Sequence, residues 1–138
     1  MSLYNGIPRE PGDYTGHADG ILRYYDDDTV LINNYPADYK RDFQRKLNIA
    51  LHNARLNTVE VPYSPFNNAS DNEAHGLYIN YLEMKSLLLL PTFGMKEDDE
   101  NLDLFKQLFP GQTIGTIDSK EISKDGGVLN CITWSILK

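Results

Sequence analysis

Two short runs rich in apolar residues, Ile21 to Tyr25 and Thr29 to Asn33, are strand-like, with the polar Asp26-Asp27-Asp28 between them. Two such runs on either side of a polar tip predict a β-hairpin. Pro36 breaks the pattern, and the period then becomes helical. Phe43, Leu47, Ala50, Leu51 and Ala54 fall on one face, and Asp38 is placed to cap a helix running to about Arg55. Thr58 to Val61 is a short β-branched strand stopped by Pro62. The second half repeats this order. Leu77 to Leu82 and Ser86 to Leu90 read as strands around a Glu83-Met84-Lys85 turn, ended by Pro91. Glu97-Asp98-Asp99-Glu100 then sets negative charge at a helix start, as the macrodipole favours. Leu102, Phe105, Leu108 and Phe109 supply that helix's buried face, Gly111 closes it, and Thr113 to Ile117 is the next strand.

Residues 20–62 and 76–118 therefore share one order, strand–strand–helix–strand, over equal lengths. An internal duplication within a single α/β (α+β) domain over residues 1–138 is the economical reading. Residues 1–15 form an irregular arm rich in Gly and Pro. Residues 119–138 hold a turn around Lys124 to Gly127 and a strongly apolar strand, Val128 to Leu137.

Composition narrows the partners. A chain of 138 residues with a net charge of −7 lacks the clustered Lys and Arg that a phosphate backbone requires, so no nucleic acid is expected. Its one basic cluster, Lys40-Arg41 through Arg45-Lys46, is interleaved with Asp42 and reads as a solvated helix face. The longest apolar run, Leu87 to Leu90, is strand-sized, so no membrane span is expected. Met1-Ser2-Leu3 reads as no signal-peptide core, and a cytoplasmic location is the expectation. No metal or other cofactor is expected. Three consecutive aspartates do not converge as spaced ligands do, and zinc would need more than three scattered His and one Cys.

That one cysteine, Cys131, lies in the stretch GGVLNCIT. Free cysteine commonly packs as a small hydrophobe. Two glycines just before it, however, permit the close backbone approach that the mouth of a site needs. A second candidate segment is GHADG, residues 16–20, where His17 and Asp19 would share one face of a strand. A cysteine hydrolase needs a thiol, a proton-transfer group and a means of holding its electrophile. Cys131, His17 and Asp19 offer one of each. His52 on a helix and His75 in a polar loop have no comparable setting.

GHADG, the downstream GLYINYL and LPTFG, and GGVLNCIT resemble, in that order over residues 16–134, the C-terminal half of one family. It is the family of agmatine deiminases and bacterial-type peptidylarginine deiminases. The resemblance implies a partial pentein propeller, two strand–strand–helix–strand units plus a terminal strand bearing Cys131. It implies that Cys131 attacks a guanidinium carbon and expels ammonia, leaving a thiouronium adduct that water releases as a ureido product. His17 would serve as general acid and base, Asp19 as a carboxylate pairing with guanidinium nitrogens, and Asn80 as a group beside the catalytic centre that also binds substrate. A cation beside the thiol would favour thiolate. The expected partner is a cationic guanidino molecule, such as agmatine, or an arginine side chain. Two departures stand out: Asn130 occupies a position where the family commonly has His, and about half of the family's length has no counterpart. A partner chain or self-association would then supply the missing half. The alternative is a non-catalytic pentein-like binding or assembly module, and the blandest reading is a small α/β domain with purely structural residues.

Overall fold

The computed structural model describes residues 6–13, 16–68, 73–134 and 136. The first unit comprises strands β1 (Leu22–Tyr24) and β2 (Thr29–Asn34), helix α1 (Arg41–Asn53) and strand β3 (Asn57–Pro62). The second comprises β4 (Leu82–Glu83), β5 (Leu87–Thr92), α2 (Glu97–Leu108) and β6 (Thr113–Asp118). Each unit forms its own three-stranded sheet, in the order β1-β2-β3 and β4-β5-β6. In both, the first pair is antiparallel and the second parallel, so the helix is the crossover a parallel pair requires. The duplication and the mixed α/β class read from the sequence are thus both present.

Strand β2 buries both faces of its apolar centre, Val30 to Ile32. Val30 and Ile32 face α1 and pack with Phe43, Leu47 and Leu51, while Leu31 faces the second unit. Leu31 and Val61 join Tyr78, Tyr81, Leu88, Leu90, Phe105 and Val128 in one core that both units share. Polar contacts lock the same boundary. Tyr25 Oη donates to the Leu108 carbonyl at 2.7 Å, and the Arg23 guanidinium lies 3.6 Å over the Tyr81 ring while donating to the Tyr81 carbonyl.

The basic cluster of α1 is the solvated face anticipated: Asp42 pairs with Arg45 at 2.8 Å and with Lys46 at 2.6 Å, all well exposed. The start of α1 differs from the expectation. Asp38 does not cap it; the helix begins at Arg41, after Lys40 in the left-handed region (φ 42°). Lys40 adopts that conformation with its Nζ held by Glu10 at 3.2 Å and by the Pro11 carbonyl at 2.6 Å. Tyr35 and Tyr39 hydroxyls reach the same Glu10 carboxylate, so this part of the arm is tied down. Residues 1–5 and 14–15 of the expected arm lie outside the described residues.

Three further departures bear on the site. Ala18–Gly20 is a 3-10 turn with His17 at its N-cap, so His17 and Asp19 do not share the face of a strand. The strand expected over Leu77 to Leu82 exists only as Leu82–Glu83, and residues 77–80 form a turn although Leu77, Tyr78, Ile79 and Tyr81 are all buried. The apolar run from Val128 is not a strand either: residues 129–132 are turns, and positions 135 and 137 lie outside the described residues. The reason is a single side chain, that of Asn80. No helix among the described residues is long and apolar enough to cross a membrane.

Candidate active site

Asn80 sits in the 77–80 turn, closed by its own N–H donating to the Leu77 carbonyl at 3.3 Å, and is 1% exposed. A buried amide must spend its hydrogen-bonding groups on protein partners. Asn80 Oδ1 accepts from the Val128 N–H at 3.1 Å and the Cys131 N–H at 3.3 Å. The Asn80 backbone carbonyl accepts from the Asn130 N–H at 3.1 Å. With the donors of residues 128, 130 and 131 committed to one residue, none remains for a strand ladder, and the chain wraps around the amide instead. Thr133 Oγ1 donates to the Leu129 carbonyl at 2.8 Å and tightens the same wrap.

The other end of the amide faces the chemistry. Asn80 Nδ2 lies 3.3 Å from Asp19 Oδ2 and 3.3 Å from Cys131 Sγ. Asn130 Nδ2 donates to the same Asp19 oxygen at 3.1 Å, and the Cys131 thiol lies 3.5 Å from it. Asp19 is carried by the 3-10 turn, whose last carbonyl, that of Gly20, accepts from Asn33 Nδ2 of β2 at 2.9 Å. Thiol, carboxylate and two amides from three separate segments therefore meet around one carboxylate oxygen. Among the described residues, no hydrogen bond occupies Asp19 Oδ1.

Of the four residues singled out in the sequence, Cys131, Asp19 and Asn80 are in contact. His17 is exposed beside them in the chain, its N–H donating to Asp13 Oδ2 at 3.1 Å. Among the described residues, no hydrogen bond joins its imidazole to the cluster. Asn130 is the residue that sequence reasoning passed over, noting it only as a departure. An amide inside an apolar run, next to the sole cysteine, was the available signal. Among the described residues, no group of three or more His, Cys, Asp and Glu could hold a metal ion.

The resting thiol is not activated. Burial pushes the Cys131 thiol up, as does the Asp19 carboxylate beside it, and the Asn80 amide only partly offsets them. In the free protein the charge beside the sulfur is therefore negative, that of Asp19.

Gly127 sets the thiol's position. A Cβ added there would lie 2.7 Å from Cys131 Cβ and 3.1 Å from Sγ, closer than real side chains pack. Gly127→Ala must push the cysteine off Asn80 and Asp19. We expect the substitution to slow amidine alkylation of Cys131 by roughly 100-fold, the scale of an ångström's misplacement in a reacting site. Labelling rates read by intact mass check this, and an unchanged rate would mean the thiol does not depend on its present seat.

Residues 2–136 match the family model of Porphyromonas-type peptidyl-arginine deiminase. A candidate agmatine deiminase of Streptomyces coelicolor is 28% identical over 142 aligned positions covering 95% of this chain. Another, of Streptomyces avermitilis, is 26% identical over 88% of the chain. The chain spans 42% and 40% of the lengths of these two relatives. Among solved structures, a Cys-to-Ser variant of C. jejuni agmatine deiminase with substrate bound superimposes with a TM-score of 0.69 at 19% identity, over 86% of this chain and 36% of that one. At that identity the likeness concerns the fold alone, which is the pentein fold, matched over part of its length.

Proposed function

Because the chain belongs to the Porphyromonas-type peptidyl-arginine deiminase family, we propose that it carries the nucleophile-bearing half of a guanidine deiminase site. The observation that supports this most is the meeting of Cys131 Sγ and Asp19 Oδ2, at 3.5 Å, over the Asn80 amide. A guanidinium is planar, permanently charged and made for a carboxylate fork. Asp19 offers it Oδ1, and docking there brings the guanidinium carbon toward Sγ.

The raised thiol then has a role in selectivity. Without a cation, the carboxylate keeps the sulfur protonated and quiet. A bound guanidinium neutralises Asp19 and places positive charge beside the sulfur, so thiolate forms where substrate is present. His17 accepts the thiol proton and returns one to the departing nitrogen. Sγ bonds to the guanidinium carbon, a C–N bond breaks, and ammonia leaves a Cys131 thiouronium. Water then adds to the same carbon, the C–S bond breaks, and a ureido product departs as the thiol regains its proton. The substrate is agmatine or an arginine side chain.

One carboxylate holds a guanidinium loosely. The relatives' greater length provides room for further binding groups, and the exposed apolar residues after the cysteine suit an attachment surface. Ile132, Trp134 and Ile136 are 58%, 90% and 75% exposed. Patches of this kind mark contacts with another polypeptide. We expect sedimentation of the purified chain to show self-association that Trp134→Lys weakens; a clean monomer at high concentration would contradict it.

Product formation tests the function itself. With agmatine, free arginine or an arginine peptide, the chain alone should release a ureido product well below the roughly 10 per second of a typical enzyme. Cys131→Ser should release none. Failure to detect cysteine-dependent product from all three substrates would overturn the proposal in favour of a non-catalytic module.

A further inference from the structure

Beyond the groups at the thiol, the Asn80 turn has a second anchor. Tyr78, two residues before Asn80, is fully buried with its ring edge-on to Phe93 at 5.2 Å. Its hydroxyl donates to Asp98 Oδ1 at 2.7 Å, a charge-assisted bond. Asp98 in turn gathers the loop before α2. Its Oδ1 accepts from the Phe93 N–H at 2.9 Å, and its Oδ2 accepts from Gly94 at 2.8 Å and Met95 at 3.1 Å. Four donors thus saturate one carboxylate at the helix's first turn, where the macrodipole also favours negative charge. Gly94 is at φ +73°, which lets consecutive N–H groups converge on a single anion.

An ordinary helix cap satisfies the backbone of its own helix. Asp98 does this for its loop but spends its shortest bond on a side chain from a different segment. That segment has no strand ladder to hold it, because residues 77–80 are a turn. Beside the burial of Leu77, Ile79 and Tyr81 in the core, two polar anchors bear on the tilt of the Asn80 amide: the Tyr78 hydroxyl bond to Asp98 on one side and the wrapped Cys131 loop on the other. The loop cannot set the turn's position by itself, since the loop takes its own shape from Asn80.

We propose that Asp98 and Tyr78 are positioning residues for the Cys131 site, acting through the turn that carries Asn80. Neither touches Cys131 or Asp19. Their consequence for catalysis rests on the deiminase reading above, while their control of Asn80 does not. The link can be cut without disturbing the core, because Tyr78→Phe keeps the ring against Phe93 and leaves Asp98 its three backbone donors.

Two readouts on the full chain separate the possibilities. The first is the NMR signal of the Asn80 side-chain amide and the Cys131 backbone amide. The second is the rate at which 2-chloroacetamidine, a guanidinium mimic with a leaving group, alkylates Cys131. Tyr78→Phe should move both amide signals and slow alkylation about tenfold or more, with far-UV circular dichroism unchanged. Asp98→Asn should act in the same direction. If Asp98→Asn does not fold, Tyr78→Phe alone decides. Unmoved Asn80 and Cys131 amide signals in Tyr78→Phe would overturn the proposal, even if the melting temperature falls, because a merely structural bond would be lost without reaching the site. If the wild-type chain shows no preference for the amidine over iodoacetamide, the deiminase reading fails, and the amide signals still decide whether Tyr78 positions Asn80.

Discussion

Asp19→Asn should make Cys131 more reactive toward a neutral reagent and less reactive toward a cationic one. The carboxylate acts on the thiol in two ways, through its charge and through its hydrogen bond, and both hold the proton on sulfur. Replacing it by an amide removes both, so the thiol's titration moves downward, toward the ordinary cysteine value. Since only thiolate reacts, alkylation by iodoacetamide at neutral pH should rise several-fold, in line with the larger thiolate fraction. Alkylation by 2-chloroacetamidine should move the other way, falling on the order of 100-fold, because the carboxylate that recruits the cation is gone. The ultraviolet absorbance of the thiolate, followed against pH, checks the titration independently. Parallel changes with the two reagents would show that Asp19 adjusts the sulfur's acidity without reading the cation.

The elements that carry this site were unevenly legible. Hairpin, helix and crossover order could be read because Val30, Ile32, Phe43 and Leu47 repeat with the periods of strand and helix, and burial follows period. Cys131 and Asp19 stood out by chemistry. The two turns that bring them together did not, because Leu77 to Leu82 and Val128 to Leu137 are apolar runs, and such runs read as strands. Their actual structure depends on one amide. Asn80 lies 48 to 51 residues from the backbone donors it captures at Val128 and Cys131, a pairing that no local pattern contains. The glycines at 76, 126 and 127 were the legible trace of it. Gly76 and Gly126 sit at positive φ, and Gly127 has no room for a Cβ beside Cys131. Asn130 was visible only as an odd residue, and its partner, the Asp19 carboxylate, is 111 positions away.

Asn80→Ala should be the most damaging single change to the site. It strands the buried Val128 N–H and the Cys131 N–H, and it removes a donor from Asp19 and from Sγ. Buried donors left unpaired cost about 1–3 kcal/mol each. The Cys131 donor is nearer solvent and can recover water, so about 3 kcal/mol is expected for the whole substitution, measured by denaturant unfolding. With the amide gone, the 128–131 wrap loses its template, and amidine labelling of Cys131 should fall to the rate of an unstructured thiol. Asn80→Asp is the sharper companion. It retains an acceptor for the two backbone donors but sets a second negative charge against Asp19, so stability should recover more than labelling does. Full labelling in either variant would mean that the thiol's surroundings are shaped elsewhere.

The most direct measurement is the alkylation of the wild-type chain by 2-chloroacetamidine and by iodoacetamide, followed in parallel by intact mass and mapped by peptide. After correction for each reagent's rate with a free thiol, a guanidinium-directed cysteine should be labelled by the amidine at least tenfold faster, on Cys131, with agmatine slowing it. Equal corrected rates, indifferent to agmatine, would show Cys131 to be an ordinary exposed thiol and would contradict a deiminase site here.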